Sequence, residues 1–174
     1  MKRLLITMIL TIMFTGRVWA SDEYDPIIRD AVQKYQPEHF PALVHWYKAR
    51  IEAESRFDPY AVSYVGALGL CQFMPATAEE YGIDPLNPEE AINAMVLYTI
   101  DIAQFIEIEK LYPLNYKNAQ LFVDAAYNYG MGRIRRLART YNYNWDLIYW
   151  KLPLETRLYV NRIQRFKRNY ETNI

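Results

Sequence analysis

Helix start and stop signals follow one another along this chain with short breaks, and no stretch alternates as a half-buried strand would. Asp25-Pro26 offers an N-cap and a proline for the first turn, after which Ile27, Ile28, Ala31, Val32 and Tyr35 recur at helical spacing. A second helix is expected from near Pro41 to about Phe57, stopped by Asp58-Pro59. Tyr60 to Met74 is small and glycine-bearing, and reads as loop. Pro75 to Tyr81 reads as a short helix ending at Gly82, and Asn87-Pro88-Glu89-Glu90 opens a long one expected to reach about Leu111. Lys117 to Tyr129 closes at Gly130, and another helix runs from Met131 to about Tyr141. Asn144 caps a short helix through Trp150, and Pro153 opens the last, with Leu158, Tyr159, Ile163, Phe166 and Tyr170 along one side. The expectation is a mostly α single globular domain over residues 21–174, with no internal linker or repeat.

Such a domain must stand on its core. The 174 residues are 52% hydrophobic, and the one cysteine, Cys71, leaves no internal disulfide to form. Ahead of it, Lys2 and Arg3 precede an apolar run from Leu4 to Phe14, and Val18 and Ala20 supply small-residue cleavage positions. Residues 1–20 therefore read as a signal peptide cut after Ala20, because the run is shorter than the roughly 20 residues that span a bilayer. Export to the periplasm or beyond is expected, and a nucleic-acid partner is not. Charge is uneven. Residues 21–130 carry 7 Lys+Arg against 17 Asp+Glu, and residues 131–174 carry 10 against 3.

Within RIEAESRF, residues 50–57, two glutamates compete for attention. At about 100° per residue, the stripe through Leu43, Val44, Tyr47 and Ile51 continues onto Glu54, while Glu52 falls with the solvent-side residues. A carboxylate aimed inward, in the last helical turn, is pushed toward its protonated form by desolvation and by the helix dipole. That suits a general acid. A structural pair with Arg50, one turn earlier, or with an arginine of the C-terminal half accounts for the position equally well. The loop that follows favours the acid: Gly66, Ala67 and Gly69 allow close backbone approach, and Ser63 and Gln72 supply uncharged hydrogen-bonding groups suited to an amino sugar.

Glu54-Ser55, GALGLCQFMPATA from Gly66, AAYNYG from Ala125 and PLETRLYV from Pro153 together resemble the soluble lytic transglycosylase family, in order and over about residues 43–165. The resemblance implies a lysozyme-like fold. It also implies cleavage of the β-1,4 bond between N-acetylmuramic acid and N-acetylglucosamine in peptidoglycan without water, leaving a 1,6-anhydro end. Glu54 falls on the family's catalytic acid; Ser63, Gln72 and Met74 fall on sugar-contacting groove positions. Tyr127 and Asn128 fall on the Y-N-x-G block, Glu155 on the E-T block, and Tyr159 on a residue that hydrogen-bonds the acid. Cys71 stands where the family usually has Met, and Tyr129 where a small residue is usual.

Two alternatives follow from the same residues. A hydrolytic muramidase on this fold, as in goose-type lysozymes, would need Asp58, Asp124 or Glu155 to activate water. A non-catalytic peptidoglycan-binding part of an envelope-spanning assembly would need neither. No metal or cofactor is expected: His39 and His45 lack an H-E-x-x-H spacing, and phosphate-loop and dinucleotide fingerprints are absent. The partners expected are peptidoglycan glycan strands and a secretion, conjugation or motility apparatus, served by a monomer.

Overall fold

The computed structural model describes residues 22–108 and 116–172. The expected signal peptide, residues 1–20, and Leu111, the expected end of the long helix, lie outside them. The chain divides into two compact units, one up to Ile92 and one from Asn93.

In the first unit, α1 (Asp25–Tyr35) packs on α2 (Val44–Ser55), burying Ile28, Ala31 and Val32. Ile28 and Val32 each contribute about 1.5–3 kcal/mol on leaving water. Asp25 is not the N-cap expected; Tyr24 holds that position without a side-chain bond. Asp25 instead accepts a hydrogen bond from Lys48 Nζ at 2.8 Å, and Asp22 accepts another at 2.9 Å, so the buried ammonium has two anionic partners. Tyr47 donates to Gln36 Oε1 at 2.6 Å at the far end of α1. α2 starts three residues later than the proline-based expectation, because the N–H groups of Leu43 and Val44 bond to His39 and Pro41 in turns.

α2 is closed on most of its circumference, with Trp46, Lys48, Arg50 and Ala53 buried alongside the expected Val44, Tyr47 and Ile51. Ala49 and Ala53 are small enough for close packing on the side opposite the apolar stripe. α3 (Pro75–Tyr81) ends on left-handed Gly82. α4 (Pro88–Phe105) begins as expected at Asn87, whose Oδ1 accepts from the N–H groups of Glu89 and Glu90 while its Nδ2 donates to Glu90 Oε1.

In the second unit, α4 stops at Phe105, short of Leu111, because Glu107 takes a left-handed φ of 60°. Its carboxylate Oε1 accepts from Arg135 at 3.1 Å and from Arg139 at 2.5 Å, and the Tyr143 hydroxyl reaches its Oε2 at 3.2 Å. α5 (Tyr116–Tyr129) packs against α6 (Met131–Thr140), α7 (Trp145–Tyr149) and α8 (Leu154–Thr172). Phe122 meets Trp145 edge-on at 5.1 Å in the middle of this cluster. Asn144 caps α7 by accepting from the Leu147 N–H. α8 buries Thr156, Tyr159, Val160 and Ile163; Leu158, expected on that face, is exposed. Among the described residues the architecture is mostly α, and its only β pairing is a set of isolated bridges in the first unit.

Candidate active site

Glu54 occupies the last turn of α2, which ends abruptly: Arg56 and Phe57 both adopt left-handed φ values, 57° and 66°, without glycine. Each such residue costs roughly 1–2 kcal/mol. Burial of Phe57, whose ring stacks parallel to Tyr24 at 6.4 Å, offsets part of that cost. The chain therefore leaves the helix at once after Ser55, at the end carrying the partial negative charge.

Glu54 is half-buried, and so is Glu52, which the sequence placed with the solvent-side residues. Arg50, one turn before Glu54, is wholly buried, with its guanidinium carbon 4.3 Å from the Trp46 ring centre and 5.6 Å from that of Tyr47. Cys71 lies in the same neighbourhood. Burial pushes its thiol well up, the charge of Glu54 pushes the same way, and Arg50 pulls against both. Arg50 was read in the sequence only as a pairing partner for Glu54, although its helical phase, about 60° from Tyr47, already sets it at the edge of the apolar stripe.

The loop after α2 is shaped by main-chain bonds. Ser63 N–H donates to Ala67 O at 2.9 Å, Gly69 N–H to Ala61 O at 2.8 Å, and Leu68 and Phe73 exchange a pair of bonds. Leu68 thereby bridges Val62 on one side and Phe73 on the other. Gly69 is obligatory: its φ is +71°, and a Cβ there would stand 1.9 Å from the Pro85 carbonyl oxygen. This framework sets two side chains in fixed orientations. Ser63 Oγ accepts from the Ala67 N–H at 2.9 Å, which leaves its hydroxyl proton to donate. Gln72 Nε2 donates to Ala61 O at 3.1 Å and Gly69 O at 2.8 Å, so its carbonyl is the end left for a ligand. Met74 is exposed, immediately before Pro75 opens α3.

The remaining candidates lie in the second unit. Tyr127, half-buried on α5, meets Tyr98 edge-on at 5.3 Å, and Asn128 beside it is exposed. Tyr129 is covered by Arg133, whose guanidinium lies 4.9 Å from the ring and donates to the Tyr129 carbonyl at 2.9 Å. On α8, which packs against α5, Glu155 is exposed and Tyr159 buried. Asp124 is fully enclosed on α5 and accepts from Gln164 Nε2 at 3.3 Å. Asp58 accepts from the Tyr60 N–H at 2.9 Å in a turn of its own.

Comparison with known proteins identifies the family and the fold. The family model for the transglycosylase SLT domain matches residues 44–146, from the first residue of α2 into α7. The chain belongs to the transglycosylase SLT domain family. It is 31% identical over 114 residues to membrane-bound lytic murein transglycosylase D of Escherichia coli, a match covering 63% of this chain and 24% of that protein. With membrane-bound lytic murein transglycosylase F of Desulfosudis oleivorans it shares 39% identity over 89 residues, covering 50% and 18%. Among solved structures, the 70 kDa soluble lytic transglycosylase of Escherichia coli aligns with a TM-score of 0.58 and 26% identity over 82% of this chain and 24% of that one. An inactive mutant of the lytic transglycosylase Slt from Pseudomonas aeruginosa aligns with a TM-score of 0.57 and 24% identity, covering 75% and 22%. The fold is thus the mostly α, lysozyme-like domain of lytic transglycosylases. This chain spans about a quarter of the length of the first of these relatives. The family match takes in Glu54, Ser63, Gln72, Met74, Tyr127 and Asn128, while Glu155 and Tyr159 lie past its end.

Proposed function

We propose that the chain cleaves peptidoglycan glycan strands as a lytic transglycosylase, with Glu54 as its single catalytic carboxyl group. The observation that carries this reading is the setting of Glu54: the last turn of a helix stopped by two left-handed residues, half-buried, and followed by a rigid loop offering one hydroxyl donor and one amide acceptor. Two carboxylates that hydrolysis would call on are engaged elsewhere, Asp58 in its own turn and Asp124 with Gln164.

In the proposed reaction, protonated Glu54 gives its proton to the glycosidic oxygen as the C1–O bond breaks, and the substrate's N-acetyl oxygen stabilises the charge at C1. The Glu54 carboxylate then takes the proton of the muramoyl C6 hydroxyl, whose oxygen bonds to C1 and closes the anhydro ring. Proton and electron pairs balance without water. By the family pattern, sugar-contacting roles are assigned to Ser63, Gln72 and Met74, a role at the reacting sugar to Tyr127 with Asn128 in support, and further site roles to Glu155 and Tyr159.

Export fits this substrate: residues 1–20 act as the cleaved leader, and among the described residues no helix is long and apolar enough to cross a membrane. The enzyme then works as a monomer, opening local gaps for an envelope-spanning secretion, conjugation or motility apparatus. Mass spectrometry of fragments released from peptidoglycan tests the chemistry. Wild type is expected to give products ending in anhydromuramic acid, one water lighter than hydrolytic ones, and Glu54→Gln to release none. Reducing ends from wild type would establish hydrolysis instead.

A further inference from the structure

The outward face of α8 is not the face of an ordinary solvated helix. Opposite the buried Thr156, Tyr159, Val160 and Ile163 runs the series Leu154, Leu158, Asn161, Arg165 and Arg168, spaced by four and three residues and exposed at every position. Its N-terminal end is apolar and its C-terminal end cationic. Leu154 is 62% exposed and Leu158 52%. Neither Arg165 nor Arg168 has a carboxylate partner among the described residues.

The end of α7 enlarges the apolar part. Leu147 is 53% exposed and Trp150, its cap residue, 71%. Trp150 does not hang free. Its ring meets Tyr149 edge-on at 5.2 Å, and the Arg157 guanidinium lies 5.3 Å from Trp150 and 5.8 Å from Tyr149. Asn161 Nδ2 donates to the Tyr149 hydroxyl at 2.8 Å, which ties the end of α7 to the same stretch of α8 that carries the two leucines. A tryptophan and three leucines thus stay exposed, the tryptophan packed against Tyr149 and Arg157.

We propose that this face docks on the surface of an anionic lipid bilayer, with Trp150, Leu147, Leu154 and Leu158 at the level of the upper acyl chains and Arg165 and Arg168 among the headgroup phosphates. Charge complementarity selects this occupant. Residues 145–172 carry six Lys+Arg against three Asp+Glu; with Glu171 paired to Lys167, five cations remain against Asp146 and Glu155, which stand exposed with Lys151 at the apolar end. Indole, leucine and arginine side by side match the layers of a membrane interface, where arginine stems lie along apolar surface with their charge in the headgroups. The inference rests on α7 and α8 and not on the chemistry assigned to Glu54, and Glu155, between Leu154 and Leu158, then lies at the border of the docked face.

The test uses the full chain, vesicles of phosphatidylcholine with or without phosphatidylglycerol, and brominated lipid as a quencher of nearby indoles. Subtracting the Trp150→Phe signal isolates Trp150 from the other three tryptophans. Trp150 emission is expected to be quenched on phosphatidylglycerol vesicles and not on phosphatidylcholine alone. Leu154→Ser/Leu158→Ser and Arg165→Glu/Arg168→Glu double variants are each expected to weaken the effect at least about tenfold. The positions are exposed, so circular dichroism should show the fold intact. Absence of quenching, equal quenching on neutral vesicles, or quenching indifferent to both double variants would overturn the proposal. So would concentration-dependent self-association that shields Trp150 without lipid, which would assign the face to a second copy of the chain.

Discussion

Glu54 and Glu52 stand two positions apart on α2, and neither is in open water. Removing the proton from one should nonetheless matter far more than from the other. Glu54→Gln is expected to lower glycan cleavage at least about 100-fold, as loss of a general acid does. Glu52→Gln should stay within about threefold of wild type, measured as fragment release from the same peptidoglycan. A comparable loss at Glu52 would show that the chemistry has been assigned to the wrong carboxylate. Cys71 yields a second prediction. Its folded-state proton affinity is raised above that of an unfolded thiol, so the folded protein holds a proton that the unfolded chain releases. The contribution is complete below about pH 8.5 and is lost as pH climbs above that value. Denaturation midpoints should therefore fall with rising alkalinity, and the stability slope should be shallower in Cys71→Ala by up to about 1.4 kcal/mol per pH unit. Helical phase set Glu54 inward and Glu52 toward water, yet both are half-buried, so burial alone does not separate them. The enclosure of Arg50 and Lys48 was not legible, because cations read as solvent-facing until their partners are known: aromatic faces for Arg50, the carboxylates of Asp22 and Asp25 for Lys48.

Elements whose ends are written in capping chemistry were the most readable. Pro75 and Gly82 bracket α3 as expected, and Asn87 opens α4. Asn87→Ala should cost about 1 kcal/mol by chemical denaturation, since two N–H groups lose their acceptor. The end of α4 was misread because Glu107 turns left-handed under the pull of Arg135, Arg139 and Tyr143, partners 28 to 36 residues away in sequence. Leu158 and Tyr159 were both placed along the buried side of α8; Tyr159 is buried there, and Leu158, one residue out of phase, is exposed. The loop's bridges were likewise silent, being made by main-chain atoms and leaving no alternating pattern. Gly69→Ala tests that framework. Strain at positive φ and collision with the Pro85 carbonyl should together cost about 3 kcal/mol, lowering Tm by roughly 5–10 °C. An unchanged Tm would mean that the loop and Pro85 separate readily.

Across the whole molecule, stability rests on packing with no covalent staple. The single cysteine is buried, so Tm with and without reductant should agree within about 1 °C; a larger difference would reveal a cross-link between chains. The mostly α architecture was readable because its boundaries carry Pro, Gly and Asn. The boundary between the two compact units falls inside α4, between Ile92 and Asn93, where neither residue is glycine or proline. The loop of residues 61–73 has a different significance at this scale. Its outline depends on carbonyls, amides and Gly69, and the outward Tyr60, Val62, Tyr64 and Val65 are not needed to draw it. Those four positions can diverge at little cost to folding, so descendants of this chain, or a randomised library, can try new surface chemistry beside Ser63 and Gln72 while the acid on α2 stays where it is.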